Sequence, residues 1–243
     1  MKRMLWGRES VRRALESGAD PDVILIDGAD PDRTVRAMLA PTQHGRLPVY
    51  ERPRRELDAL THDSKHEGIV MISGNFTYTE LETVLSQSTS SPLLLCLDEI
   101  TDPGNVGSIL RTSAAFGVNG VIVPKDRSAP INGAVVRVSM AATELVPVAR
   151  VTNLSRTLQS LGEDGYATVG LDANAEHNLE DLDLSGPIAL VLGSEGYGLR
   201  RLVRERCTHL AKIPMKPPMD SLNVAVATAV ALYECQRQRA RTR

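Results

Sequence analysis

The sequence predicts an α/β protein in which a small α/β domain precedes a larger domain built on a parallel sheet. Three observations carry that reading. Short, fully apolar runs such as Leu93–Leu97 and Ile188–Leu192 alternate with helix-like stretches, and strands buried on both faces belong to parallel sheets covered by helices. The stretch Ser86-Gln87-Ser88-Thr89-Ser90-Ser91-Pro92 has no apolar periodicity and reads as a linker, so the domains are expected at 1–74 and 92–243 with 75–91 between them. Finally, 243 residues, 42% of them hydrophobic, suffice for one large domain or two small ones with a core of useful size.

The elements follow in order. In the first domain Val11–Leu15 suggests an amphipathic helix, Val23–Ile26 a strand, Val35–Leu39 a helix, Leu47–Tyr50 a strand and Ile69–Ile72 another strand. After the linker, Leu93–Leu97 is a buried strand and Val106–Phe116 a helix stopped by Gly117. Gly120–Val123 is a strand ended by Pro124, and Thr168–Leu171, Ile188–Leu192 and Leu210–Ile213 are further strands. The chain closes on a long helix, roughly Ser221 to Gln238. Its Val224–Leu232 part is small and apolar, which predicts burial on most sides, by the domain or by a second subunit. Arg237, Arg239, Arg241 and Arg243 read as a fraying tail in preference to a phosphate-binding one.

Composition narrows the function classes. A formal net charge of −2 argues against a protein that coats nucleic acid through bulk charge, but not against local RNA recognition. The cations are mostly arginine, whose forked donors suit phosphate. Aromatic residues make up only 3%, so base stacking has few candidates. Cys96, Cys207 and Cys235 stand far apart, without metal spacing or a disulfide framework. A reducing cytoplasm is therefore the expected compartment, and no metal is expected. The charged start, Met1 to Trp6, is not followed by an apolar run, so no signal peptide is expected. No stretch approaches about 18 consecutive apolar residues, and no membrane span is expected.

In open parallel sheets ligands bind beyond the carboxyl ends of the strands, and three polar or glycine-bearing loops sit there. The first runs from Asp98 to Arg111, with Asp102-Pro103-Gly104 as a turn. Asn105 sits where a helix begins, and Arg111 falls off that helix's apolar stripe of Val106, Ile109, Leu110 and Ala114. Asn105 is either the cap of that helix or a binding group, and Arg111 is either solvated or functional. The second loop, Gly193-Ser194-Glu195-Gly196-Tyr197-Gly198, matches neither a Walker P-loop nor a dinucleotide fingerprint. Glu195 there is either a capping acid or a ligand group, and a carboxylate disfavours bound phosphate. The third, from Pro214 to Ala227, is stiffened by prolines. Asp220 or Ser221 is expected to cap the last helix, and Asn223 needs a hydrogen-bond partner.

The spacing Asn-x-Gly-x-x-x-Arg from Asn105, then Gly-x-Glu-Gly from Gly193, then Ser-Leu-Asn-Val-x-x-Ala from Ser221 resembles the three motifs of the SpoU (TrmH) family of RNA ribose methyltransferases, in the SPOUT superfamily. The match covers residues 93–238. Val121–Ser128 and Val151–Thr157 further resemble the members that modify a guanosine of 23S rRNA. Trp6-Gly7 and His66–Val70 resemble those members' small RNA-binding domain. The chain departs from the usual pattern at Glu67, where Gln is expected, and at Asp220, where Ser is.

The resemblance implies a deep trefoil knot in the C-terminal domain, S-adenosylmethionine as cofactor, 23S rRNA as the RNA partner, and a homodimer through the last helix. It implies that Gly193, Glu195, Gly196, Ile213, Met215 and Leu222 hold the cofactor. Arg111, Asn105, Glu195, Ser221 and Asn223 are implied as catalytic. An arginine keeps its proton to about pH 12, so Arg111 is better suited to stabilising a developing alkoxide than to acting as base. The alternatives are the same chemistry on another rRNA or tRNA nucleotide, or a noncatalytic RNA-binding assembly protein.

Overall fold

The computed structural model describes residues 3–29, 49–61, 65–73, 76–86, 90–139 and 142–241. The helix expected at Val35–Leu39 lies outside them. The chain forms two compact units, Met1–Thr77 with Pro130–Leu145, and Tyr78–Ala129 with Val146–Arg243.

The first unit is a mixed sheet with helices. Its elements are β1 (Arg3–Trp6), α1 (Arg8–Glu16), β2 (Pro21–Asp27), β3 (Val49–Arg52), α2 (Arg54–Thr61) and β4 (Ile69–Ser73). The order is β1-β4-β2-β3, with β4 antiparallel to both neighbours and β2 parallel to β3. Trp6, Leu25, Leu57 and Val70 form one cluster of its core, and Leu5, Val11, Ile24 and Met71 are fully buried as well. The short helix Gly133–Val138 belongs to this unit despite its place in the chain. A Cβ on Gly133 would overlap the Met4 carbonyl and lie 2.8 Å from the Trp6 ring, so only glycine lets this helix approach β1 so closely.

The residues that carry the resemblance here have a visible structural task. Gly7 precedes α1 and has no side chain to cap it, and Glu67 Oε2 accepts from Arg8 N at 2.8 Å instead. Glu67 holds a left-handed backbone, φ 54. His66 is fully buried. Its Nδ1 accepts from Gly68 N at 3.1 Å, so Nε2 carries the proton that it donates to Asp58 Oδ1 at 3.0 Å.

The second unit contains a seven-stranded parallel sheet. After the helix Leu81–Ser86 (α3) come β5 (Leu93–Leu97), α4 (Pro103–Ala115), β6 (Gly120–Pro124), α5 (Gly133–Val138, in the first unit), β7 (Val148–Val151), α6 (Leu154–Glu163) and β8 (Ala167–Leu171). Then follow β9 (His177–Asn178), β10 (Ile188–Leu192), α7 (Arg201–Arg206), β11 (His209–Lys212) and α8 (Val224–Arg241). The strand order is β7-β6-β5-β10-β8-β11-β9, and every neighbouring pair is parallel. β5, β6 and β10 are buried along their whole length, as fully apolar runs require. Leu94 and Cys96 pack on one face with Val84, Leu154, Leu158 and Val203. Leu93, Leu95 and Leu97 alternate to the other face, the side left for α4 and α8, which pack on each other.

Several local expectations change. Part of the stretch expected as a linker is α3, whose Val84 is buried in the core against Gly120. β7 and α6 were not anticipated, although Asn153 caps α6 through its side chain. Asp102, not Asn105, caps α4: its Oδ2 accepts from Asn105 N at 2.7 Å. Asn223, not Asp220 or Ser221, caps α8, its Oδ1 accepting from Ala225 N at 2.9 Å. The arginine tail does not fray as far as Arg241. Arg239 donates to the carbonyls of Gly186 at 2.7 Å and Ser91 at 2.9 Å, and burial lowers its pKa. Within one chain α8 is buried on one side only: Ala231, Leu232 and Cys235 are covered, while Val226, Val230 and Tyr233 are 50%, 40% and 60% exposed.

Burial pushes the Cys207 and Cys235 thiols up to about 12, and raises Cys96 as well. All three then stay protonated at pH 8, and none serves as a thiolate nucleophile. Iodoacetamide at pH 8 is expected to leave them unmodified in the native chain and to alkylate them in denaturant, as read by mass spectrometry. Rapid native labelling would contradict the packing described. Among the described residues no helix is long and apolar enough to cross a membrane, and no cluster of three side chains could hold a metal ion.

Candidate active site

The three loops meet at the carboxyl edge of the parallel sheet, beyond β5, β10 and β11. The loop after β10 is built by its glycines. Ser194 N donates to Gly198 O at 3.1 Å and Gly198 N to Ser194 O at 2.9 Å, closing a tight turn with Gly196 and Gly198 left-handed, φ 89 and 66. Gly193 is needed for a different reason: a Cβ there would overlap the backbone of Gly198 and Leu199. The turn throws Tyr197 outward, 95% exposed.

The turn also aims Glu195 at the other two loops. Glu195 Oε1 accepts from Asn105 Nδ2 at 2.9 Å and from Asn223 Nδ2 at 2.6 Å. Asn223 Nδ2 also donates to Asn105 Oδ1 at 3.0 Å. Asn223 thus spends its oxygen on the start of α8 and its nitrogen on this cluster. Both amides have their orientation set by these bonds. Asn105 is half-buried, and Glu195 and Asn223 are exposed.

Beside the cluster lies a cavity of about 610 Å³, within the range of roughly 300–1,000 Å³ typical for small-ligand sites. Gly193, Glu195, Gly196, Ile213, Met215, Ser221 and Leu222 all line it. Asn105, Arg111 and Asn223 do not. Among the described residues, Ser221 Oγ donates only to its neighbour Asp220, at 3.2 Å. Arg111 lies on α4, exposed, six residues after Asn105, with no hydrogen bond or ion pair to a described residue. Six residues advance about 9 Å along the axis, and helical side chains lean back towards the N-terminus. Arg111 is therefore near the cluster without being part of it.

Two groups escaped the reading of the sequence. Asp172, just after β8, lines the cavity and accepts from Arg204 Nε at 2.7 Å. Its place at the same edge of the sheet was the available signal. Asp98, fully buried at the end of β5, accepts from Arg200 N at 2.9 Å and from Arg200 Nε at 2.7 Å. This pair fixes the far end of the Gly193–Gly198 turn to β5, and no local pattern announces it.

Residues 92–233 match the SpoU rRNA Methylase family, and residues 4–79 match the RNA 2'-O ribose methyltransferase substrate binding family. The chain is 40% identical over 240 residues to the 23S rRNA (guanosine-2'-O-)-methyltransferase RlmB of Vibrio parahaemolyticus, covering 97% of this chain and 96% of that one. A protein of the same name from Pseudomonas aeruginosa is 49% identical over 197 residues, 80% of this chain and 79% of that one. Among solved structures, the SpoU methyltransferase AviRb from Streptomyces viridochromogenes, in complex with AdoMet, matches with a TM-score of 0.85 at 26% identity, over 98% of this chain and 91% of that one.

Proposed function

Since the chain belongs to the SpoU rRNA Methylase family, we propose that it transfers a methyl group from S-adenosylmethionine to a ribose 2′-hydroxyl of RNA, at a guanosine of 23S rRNA. The observation that carries the reaction is the meeting of Asn105, Glu195 and Asn223 beside the cavity lined by Gly193, Ile213 and Leu222. The choice of guanosine rests on the relatives at 40–49% identity.

The cavity suits S-adenosylmethionine. Leu192, Ile213 and Leu222 give it apolar walls, Gly193 keeps one wall free of a side chain, and the carboxylates of Glu195 and Asp220 favour a cationic ligand. Of its two cations, Arg204 is already paired with Asp172, which leaves little to hold a polyphosphate. When bound, the cofactor supplies an electrophilic methyl group on a sulfonium, open to in-line displacement. The chain must then orient a weak ribose nucleophile and stabilise its developing charge. Arg111, exposed and without a bond to a described residue, is suited to that alkoxide. Asn105, Glu195 and Asn223 hold the loops of the site in register, and Ser221 stands at the cavity rim. Met215 and Gly196 complete the walls.

Two further parts of the reading have their own support. Val226, Val230 and Tyr233 leave an apolar stripe on α8, which supports a homodimer through this helix. The last strand, β11, inserts between the earlier β8 and β9, an order consistent with a threaded C-terminal segment. Three free cysteines and an rRNA substrate accord with a reducing cytoplasm.

The test uses purified protein, tritiated S-adenosylmethionine and undermodified 23S rRNA, followed by mapping of the labelled nucleotide. Label on the 2′-oxygen of one guanosine is the expected result. Cofactor binding without transfer to any rRNA or tRNA would end the enzyme reading.

A further inference from the structure

A second cavity of the larger unit takes no part in the chemistry just described. This cleft of about 670 Å³ lies at the carboxyl ends of β6 and β7 and is closed by the start of α7. Arg127, Arg200 and Arg201 border it, and Asp126 is the one carboxylate among the lining residues. The wall is thus lined with guanidinium groups, whose carboxylate partners Asp98, Glu99 and Glu205 lie outside the lining.

The three arginines are not equivalent. Arg200 is committed to the buried carboxylate of Asp98, at 2.6 Å from its guanidinium. Arg127 and Arg201 have side chains 73% and 77% exposed, paired at 3.0 Å with Glu99 and at 2.8 Å with Glu205. The Arg201–Glu205 pair is exposed on both sides, and such pairs contribute only about 0.2–1 kcal/mol, while Glu99 is also held by Arg200 at 3.3 Å and so keeps a cation when Arg127 turns to a phosphate. Asn153, also in the lining, spends its oxygen on Arg156 N and Ser155 Oγ. Its amide nitrogen has no described partner. Backbone strain gathers here as well: Glu99 and Arg127, which pair with each other, both hold left-handed backbones, φ 57 and 55.

Position supplies the link to function. Neighbouring strands lie about 4.8 Å apart, so β6 and β7 stand roughly 5 and 10 Å from β5, which leads into the loop and helix bearing Asn105 and Arg111. An RNA strand whose ribose reaches the cluster of Asn105, Glu195 and Asn223 has this edge within two strand spacings. Resting on the reading that the chain acts on RNA, we propose that the cleft holds one nucleotide adjacent to the methylated one. Arg127 and Arg201 take its phosphates in place of Glu99 and Glu205, and Asn153 and Asp126 meet its sugar or base.

The test compares wild type, the double variant Arg127→Gln/Arg201→Gln, and Glu205→Gln on a 23S rRNA fragment. In the double variant the salt dependence of RNA binding should weaken by about 1.4 in log–log slope, two single-strand phosphate contacts at roughly 0.7 each. KM for RNA should rise tenfold or more, with kcat and S-adenosylmethionine affinity unchanged. Glu205→Gln, which frees Arg201, should tighten RNA binding. An unchanged slope and KM in the double variant, or a parallel loss of cofactor affinity, would overturn the assignment. A wild type that binds RNA but methylates none would instead sink the proposed function, independently of how the variants bind.

Discussion

Replacing Arg111 by alanine is expected to lower kcat by about 10²–10³-fold, the usual effect of removing one group that stabilises charge in a transition state. Binding of S-adenosylmethionine and thermal stability should stay as in wild type. The structure separates the effects cleanly. Arg111 is exposed, makes no bond to a described residue, and does not line the cavity. Its loss therefore costs no packing and removes no cofactor contact. Arg111→Lys keeps the charge but loses the planar fork, and should recover only part of the rate. Single-turnover kinetics with cofactor binding measured by calorimetry checks this. Normal turnover in Arg111→Ala would remove Arg111 from the chemistry and move attention to Glu195.

Gly193→Ala is expected to abolish cofactor binding and to lower stability. A Cβ at this position would overlap the carbonyl of Gly198 and the amide of Leu199. Both are backbone, and the two hydrogen bonds between Ser194 and Gly198 hold that backbone in place. Overpacking against atoms that cannot yield costs about 1–3 kcal/mol or more, and each kcal/mol lowers Tm by about 2–4 °C in a chain of this size. Gly196→Ala is the control. Gly196 is left-handed, φ 89, but a Cβ there would meet nothing within 4 Å, so its substitution brings conformational strain without overlap. Calorimetry should rank Gly193→Ala well below Gly196→Ala in both Tm and cofactor affinity. Equal behaviour of the two would show that the turn can shift to make room at position 193.

The parallel sheet was legible because β5, β6 and β10 are apolar throughout, a pattern that only a doubly covered strand produces. The loops of the site were legible for the complementary reason: glycines and lone polar groups interrupt those runs at one end. What joins the loops was not legible. Asn105 and Glu195 are 90 residues apart, and Asn105 and Asn223 are 118, and no local pattern reports such a contact. The same holds for Asp98 and Arg200, 102 residues apart. β7 was missed because Val148–Val151 is short and carries the exposed Arg150. The placing of Gly133–Val138 with the first unit depends on a backbone approach that a glycine permits but does not advertise.

The bond from Asn223 to Glu195 also bears on how the protein comes into being. A chain emerges N-terminus first, at about 5–20 residues per second, and its domains fold as units in that order. The first strands and the turn around Glu195 can form while α8 is still being made, yet the amide that closes the cluster arrives only with Asn223, immediately before that helix. A chain that has not yet released Asn223 can form the bond from Asn105 to Glu195 but lacks the other two of the cluster. The cluster is completed in a late step, when the last helix docks and carries its cap into it.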